Sequence, residues 1–252
     1  MIAWLRAAVL AGLVALVAYR RRALSLSGAF AATGVGSVVF ARGGLHGAAT
    51  LLAFFVSSSA LSRVGEGRRG TGLAQAKGGR RDAAQVLANG GAATLALACG
   101  SQAGFVSGLA AAAADTWATE VGLLARQRPR LITTWSPVQP GVSGGVTLAG
   151  LLASVGGAAL VGGTWWLAGG SWRAVRLAVL TGVFGSVLDS VLGATVQALY
   201  SCCGCGTLSE RRGCAECSGA TQRVRGLAGV DNDVVNALAT AAAAALGWLG
   251  SA

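Results

Sequence analysis

Carboxylates placed within long apolar segments are the feature that most limits how this chain folds. Asp115, Glu120, Asp189 and Asp231 lie inside or at the ends of segments that otherwise have the composition of membrane-spanning helices. A charged side chain is costly in hydrocarbon and is tolerated there when it faces a bundle interior or pairs with another group. Several of them in one small chain therefore predict a polar site built between helices.

The composition indicates a membrane protein of the all-α class. Hydrophobic residues make up 54% of the 252 residues, charged residues make up 12%, and the mean hydropathy is +0.62. The 40 glycines fit closely packed membrane helices. We predict a single integral membrane domain over residues 1–252, a polytopic helical bundle with a small cysteine-rich cytoplasmic loop. About eight transmembrane helices are expected, at approximately 2–19, 23–41, 43–62, 83–99, 103–122, 144–168, 174–199 and 231–249.

The positive charges decide the predicted orientation. A net charge of +11 is compatible with nucleic-acid binding, but the eight-span arrangement puts sixteen of the twenty Lys and Arg residues in the loops of one side. By the positive-inside rule that side faces the cytoplasm, which leaves both termini outside. We therefore expect a multi-pass protein of the cell (inner) membrane, with the lipid bilayer and no nucleic acid as partner. The four acidic residues lie toward the cytoplasmic side, so the active face is expected there.

The segment around Asp115 and Glu120 is followed by a loop that suggests a phosphate site. The two carboxylates predict an oxygen-rich ligand set for Mg²⁺, and the alternative for Glu120 is a helix end at which its carboxylate reaches water. The loop holds all three prolines of the chain and ends in a glycine-rich segment (residues 141–145), which is predicted to open the sixth helix. Backbone amides and a helix N-terminus would bind an anion there. The loop residues assigned to this role are Arg126, Arg128, Arg130, Gly141, Ser143, Gly144 and Gly145.

Two further segments carry polar residues in apolar surroundings. Asp189, Gly193 and Gln197 recur every four residues and are predicted to share one face of the seventh helix. That face either lines a ligand site or contacts another helix, because it is too polar to face lipid. Asp231 precedes the eighth helix, where an Asp is a common N-cap, but the asparagines after it, including Asn236, add more polar groups than a cap requires.

The cysteines of the last loop are arranged as a candidate metal site. Cys202, Cys205, Cys214 and Cys217 form two CxxC pairs, a pattern that suits tetrahedral Zn²⁺, and the adjoining Cys203 offers a substitute ligand. The predicted cytoplasmic location is reducing, which argues against disulfides. We predict that a structural Zn²⁺ folds a knuckle-like cytoplasmic loop over residues 200–229.

Four segments together resemble a known family. ADTWATEVG, PVQPGVSGGVTLAG, GSVLDSVLGATVQ and DNDVVNALAT are similar to the polytopic membrane proteins that include transmembrane protein 19 (domain of unknown function 92), over roughly residues 80 to 245. Plant chloroplast members of that family are phytyl-phosphate kinases of tocopherol synthesis, so the resemblance implies a kinase acting on a prenyl monophosphate. It implies site residues at the matching positions, which are Asn89, Asp115, Glu120, Pro140, Gly141, Gly144, Gly145, Asp189, Gln197, Asp231 and Asn236. The part from Asp115 to Gly150 is also loosely similar to CTP-using polyprenol kinases and phosphatidate cytidylyltransferases.

The resulting hypothesis is an enzyme that transfers a phosphoryl group from a nucleoside triphosphate, CTP among the candidates, to an isoprenoid (phytyl or prenyl) monophosphate. Asp115, Asp189 and Asp231 would hold Mg²⁺, with Glu120 as a further catalytic carboxylate, while Arg130, Ser143 and Asn232 would join the glycines around the phosphates. One alternative is an ion-coupled transporter, which predicts inverted repeats and polar residues toward both faces; the sequence has neither. Another is a lipid cytidylyltransferase on the same type of site, which would release pyrophosphate.

Overall fold

The computed structural model describes residues 2–66, 80–125, 127–210, 212–214, 217 and 219–251. The predicted phosphate ligand Arg126 lies outside these residues. The helices are α1 Ile2–Arg20, α2 Leu26–Glu66, α3 Ala83–Ala98, α4 Gln102–Leu124, α5 Leu148–Leu167, α6 Trp172–Thr195 and α7 Asn232–Leu249. The strands are β1 Arg130–Leu131, β2 Gly145–Val146, β3 Leu199–Cys202, β4 Leu208–Ser209 and β5 Thr221–Arg225.

The predicted all-α membrane bundle is confirmed. Gly44 has φ 54° and ψ −147°, so it divides α2 into two helical segments that correspond to the second and third predicted spans. With that division, the described helices match the eight predicted spans in order. By length and composition, α1, α2, α5 and α6 are each long and apolar enough to cross a bilayer.

Helix α4 lies at the centre of the bundle and contacts α2, α3, α5, α6 and α7. Residues 103–114 are all buried and include an unbroken run of five alanines. Its neighbours approach closely through glycines: a Cβ at Gly157 of α5 would lie 2.7 Å from the carbonyl oxygen of Ala113, and one at Gly185 of α6 would lie 2.6 Å from Ala111 Cβ. Because it is surrounded by other helices, the helix that carries Asp115 and Glu120 is shielded from lipid.

Side-chain caps fix where the later helices begin. Asp82, Ser101, Thr147, Ser171 and Asp231 each accept a hydrogen bond from a backbone amide of the first turn of α3, α4, α5, α6 and α7, respectively. Such caps satisfy amides that have no partner within the helix. The helix starts are therefore determined locally, by residues that are recognisable in the sequence.

The bundle has two distinct ends. At one end, which we call the cavity end, Leu24 forms a β-bridge with Arg81, and Arg63 donates a hydrogen bond to the carbonyl of Arg21. At the opposite end, Arg173 donates to the carbonyl of Gly250 over 2.9 Å. The loops predicted to carry most of the arginines all leave from the cavity end. That this end faces the cytoplasm stays a prediction from the charge distribution.

Two predicted helix boundaries are wrong. The sixth helix, predicted from residue 144, begins at Leu148, because Gly145 and Val146 instead pair with β1 as an antiparallel strand. The seventh helix, predicted to residue 199, ends at Thr195. The guanidinium of Arg225 binds the carbonyl oxygen of Gly193 near that end, where helix carbonyls lack intrahelical partners, and the chain then turns into β3.

Candidate functional site

A cavity of about 940 Å³, counting its open mouth, lies between α4, α5, α6 and the glycine-rich segment at the cavity end. Seven of the residues predicted from the sequence line it, namely Asp115, Glu120, Gly141, Ser143, Gly144, Gly145 and Asp189. Besides the N-cap hydroxyl of Thr147, the wall contains three hydroxyl groups that were not predicted from the sequence, those of Thr119, Ser186 and Ser190. These three residues lie within four positions of Asp115 or Asp189 along the same helices, and that spacing could have identified them from the sequence.

Asp115 and Asp189 reach the cavity from two different helices. With a rise of 1.5 Å per residue, Asp115 lies roughly 14 Å from the end of α4, and Asp189 lies roughly 9 Å from the end of α6. Both side chains are half-buried. The pair therefore occupies the interior of the bundle, as the hypothesis of a polar site between helices requires.

Glu120 lies nearer the end of α4 than Asp115, on the side of α2, and is more buried. Its side chain is 5% exposed and accepts a hydrogen bond from the hydroxyl of Ser62 over 2.8 Å. The Arg81 guanidinium, which packs on the rings of Phe54 and Phe55, interacts with the same carboxylate. Burial lowers the pKa of Arg81 to about 10, and the charge of Glu120 partly opposes this shift. Glu120 does not reach water as a helix-end residue would; it joins α4 to α2 while it lines the cavity.

The glycine-rich segment packs tightly on the end of α6. Gly144 has φ +82°, and a Cβ at this position would lie 2.6 Å from the Cα of Ala194. No side chain other than hydrogen fits that space, and a positive φ is strained for other residues. The predicted helix N-terminus is not located here, since α5 starts at Leu148, so any anion bound by this segment would meet a turn and not the first residues of a helix.

Residues of the segment between α6 and α7 form hydrogen bonds with Ser143 of the glycine-rich segment. Ser143 donates a hydrogen bond to Glu210, and its hydroxyl accepts one from the amide of Gln197 over 3.0 Å. Arg225 donates to the carbonyl oxygens of Ser143 and Gly193, both over 3.0 Å. Burial lowers the pKa of Arg225, and the carboxylate of Glu210 acts in the opposite direction. Glu210 and Arg225 were not predicted from the sequence, because they lie far from residue 143 in the chain.

Several predicted site residues lie elsewhere. Arg130 is exposed and donates to the carbonyl of Trp135. Gln197 is buried behind the glycine-rich segment, beyond the end of α6, so the predicted stripe of Asp189, Gly193 and Gln197 on one helix is wrong at its last member. Asn89 faces an apolar groove between α1, α2 and α3. Asn232 and Asn236 belong to α7, and among the described residues neither lines the cavity.

Asp231 is an N-cap in this structure. Its Oδ1 accepts hydrogen bonds from the amides of Asp233 and Val234, each over 3.0 Å. It is not among the described residues that line the cavity, so the predicted convergence of Asp115, Asp189 and Asp231 on one metal is not supported. An Asp before an apolar run satisfies the helix start, which was the simpler interpretation of this position.

This assignment predicts different outcomes for two substitutions. Asp231→Asn is expected to leave the stability unchanged because Asn caps as well as Asp, whereas Asp231→Ala should lower the free energy of unfolding by about 1 kcal/mol. Thermal unfolding in detergent, with and without Mg²⁺, measures both effects. If Asp231→Asn removed the stabilisation by Mg²⁺ as completely as Asp231→Ala, Asp231 would be a metal ligand, and its role as an N-cap would not account for the result.

The four predicted zinc ligands converge. Cys202 ends β3, Cys205 lies in the following turn, and Cys214 and Cys217 lie between β4 and β5. All four Sγ atoms lie within 4.8 Å of one another. Hydrogen bonding to Thr207 lowers the pKa of Cys205 to about 6, and hydrogen bonding with Cys202 raises the pKa of Cys217 to about 12. Cys203, the suggested substitute ligand, is exposed and outside this set.

Comparison with known proteins finds similar membrane proteins. Residues 9–244 match the family described as "Integral membrane protein DUF92". The chain is 36% identical to Protein PGR of Arabidopsis thaliana, in an alignment that covers 76% of this chain and 78% of that protein. It is 33% identical to an uncharacterized membrane protein of Methanocaldococcus jannaschii, covering 73% of this chain and 79% of the relative. No solved structure shows a significant match.

Proposed function

Because the chain belongs to the DUF92 family of integral membrane proteins, we propose that it is a membrane-embedded isoprenoid phosphate kinase. It would transfer a phosphoryl group from a nucleoside triphosphate to a prenyl monophosphate and so form the diphosphate. The observation that carries this proposal is the meeting of Asp115 and Asp189 with the glycine-rich segment around one cavity inside an apolar bundle. Polar catalytic groups and an apolar environment suit a substrate with a charged head and a hydrocarbon tail.

The membrane-facing surface beside the cavity supports an amphiphilic substrate. Leu151 of α5 lines the cavity, and the neighbouring Leu148 and Leu152 are each 66% exposed. On α6, Ser190 lines the cavity while the adjacent Val191 is exposed. A prenyl tail lying along this surface would remain in hydrocarbon while its phosphate reached the polar wall.

The donor set fits Mg²⁺. Asp115 and Asp189 would hold the ion, and the hydroxyls of Thr119, Ser186 and Ser190 lie on the same wall. Mg²⁺ takes oxygen ligands, commonly one or two carboxylates together with phosphates and water. When bound, it would neutralise the charge of the phosphates, which is much of what phosphoryl transfer requires.

The chain's own residues would position the two phosphates. Gly144 and Gly145 line the cavity with main-chain atoms, which a bound phosphate would contact directly. Behind them, Arg225 supplies a positive charge. An oxygen of the lipid monophosphate would attack the γ-phosphorus, and the bond to the β–γ bridging oxygen would break. A nucleoside diphosphate leaves, and no general base is needed because the acceptor is already ionised.

The distribution of acidic residues favours an enzyme over a transporter. Every acidic side chain that the structure describes lies in the half of the bundle at the cavity end. A proton or cation path built on carboxylates would place acidic groups in both halves. The cytidylyltransferase alternative uses the same kind of site and differs in its products.

Turnover of purified protein in lipid nanodiscs tests the proposal. With γ-labelled nucleoside triphosphates and phytyl or geranylgeranyl phosphate, we expect a labelled prenyl diphosphate that depends on Mg²⁺ and disappears with EDTA. Prenyl alcohols serve as controls, since they lack the ionised acceptor. The proposal fails if folded protein makes no diphosphate with any of the four common nucleotides and several lipid phosphates. Release of pyrophosphate with a nucleotide-linked lipid would identify a cytidylyltransferase instead.

A further inference from the structure

We propose that Cys202, Cys205, Cys214 and Cys217 bind one structural Zn²⁺, and that this ion orders a module that clamps the wall of the cavity. The module, which we call the cysteine module, comprises β3, β4, β5 and the described residues between them. The inference concerns a second site and does not depend on the reaction proposed above.

The sulfur geometry matches tetrahedral zinc. A Zn–S bond of about 2.3 Å places the sulfurs of a tetrahedral site about 3.8 Å apart. In the structure, Sγ atoms are 3.3 Å apart for Cys202 and Cys217, 3.5 Å for Cys205 and Cys214, and 3.6 Å from Cys217 to both Cys205 and Cys214. These separations are far from the S–S length of about 2.0 Å in a disulfide. Four convergent thiols without histidine are typical of a closed structural zinc site.

The cysteine module has too little apolar core to be stable by itself. Its strands are two to five residues long. The buried cluster beneath it joins Leu199 and Leu208 of the module to Val138 and Val142 of the loop before α5. Short strands with so small a core need another source of stability, and metal binding supplies folding free energy directly.

The same module holds the cavity wall. Gln197 lies two residues before β3, just outside the module, while Glu210 directly follows β4 and Arg225 ends β5. These three side chains make the described hydrogen bonds to Ser143, and Arg225 also binds the carbonyl of Gly193. Zinc would therefore act on the cavity indirectly. It would order the strands of the cysteine module, and these strands would position the side chains that hold residues 141–145.

Metal content of the full-length protein tests the site. Protein purified without chelators is expected to carry about one zinc per chain, measured by mass spectrometry together with iron. Cys202→Ser and Cys214→Ser should each lose most of it. Cys99→Ser, at the opposite end of the bundle, and Cys203→Ser, next to a ligand but outside the cluster, should keep it.

The zinc site is overturned if reduced wild-type protein holds less than roughly a tenth of an equivalent after reconstitution with Zn²⁺. It is also overturned if iron occupies the site in place of zinc, or if Cys99→Ser loses as much metal as Cys214→Ser. Because the first two results come from the wild-type chain, a cysteine variant that fails to fold does not leave the question open.

Hydrogen exchange tests the clamp separately. Chelation of zinc from folded protein is expected to speed amide exchange in residues 141–145 by about tenfold or more, since local protection depends on the contacts that hold a segment. Exchange in α1, which does not belong to the clamp, should change little, and added Zn²⁺ should restore protection. Unchanged exchange in residues 141–145 after complete zinc removal would refute the clamp even if the metal site exists. Neither result depends on kinase activity.

Discussion

Asp189→Asn is expected to lower the rate of prenyl diphosphate formation about a thousandfold, and Asp115→Asn should have an effect of the same size. Asparagine has nearly the shape of aspartate but lacks the charge that would hold Mg²⁺ against phosphate. Losses of this order follow when one group that stabilises transition-state charge is removed. Steady-state kinetics across a range of Mg²⁺ concentrations measures the effect, and we expect excess Mg²⁺ to recover only part of the activity.

A matched substitution separates this effect from the general loss of a carboxylate. Asp82 lies at the same end of the bundle, but its side chain forms the capping box of α3 with Gln85. Because Asn is an equally good cap, Asp82→Asn should stay within about twofold of the wild-type rate. Thermal unfolding of all three variants completes the comparison. Asp189→Asn protein that keeps most of its activity, or that loses activity only because it unfolds, would remove Asp189 from the catalytic site.

Features encoded by local pattern were predicted from the sequence. Apolar segment length and the alternation of arginine-rich loops predicted the number and order of the helices, because a bilayer imposes both; the start of α5 and the end of α6 were misplaced. Asp115 and Asp189 were expected to meet because a carboxylate in an apolar segment must face protein. Helical periodicity and the cost of a buried charge were enough for these two residues.

Features that depend on contacts between distant segments were not predicted. Glu210 and Arg225 bind Ser143 across 67 and 82 residues of chain, and nothing in the local sequence marks them as partners of the cavity. Periodicity also placed Gln197 on a helix that ends before it. The rotation of α3, which turns Asn89 toward an apolar groove, is set by packing against α2, α4 and α7. Tertiary contacts decide all of these, so they require coordinates.

The second large effect is expected at Gly144. Gly144→Ala should lower the free energy of unfolding by about 3 kcal/mol and reduce kinase activity to background, since two costs add. A left-handed φ of +82° costs an alanine roughly 1–2 kcal/mol, and its Cβ would overlap the backbone of Ala194, which cannot move without disturbing the end of α6. Relief of the overlap would shift the cavity wall, so activity falls even in the fraction of protein that remains folded.

Gly100→Ala is the matched control for Gly144→Ala. Gly100 also has a left-handed φ, +92°, but no atom lies within 4 Å of the position that its Cβ would occupy, and it joins α3 to α4 at the opposite end of the bundle. This variant should lose only about 1 kcal/mol, the cost of the backbone conformation alone, and should keep its activity. Thermal unfolding and turnover of both variants measure the difference. Equal losses in the two proteins would mean that the contact with Ala194 contributes nothing, and the glycine-rich segment would then not be the closely fitted wall that the proposed phosphate site requires.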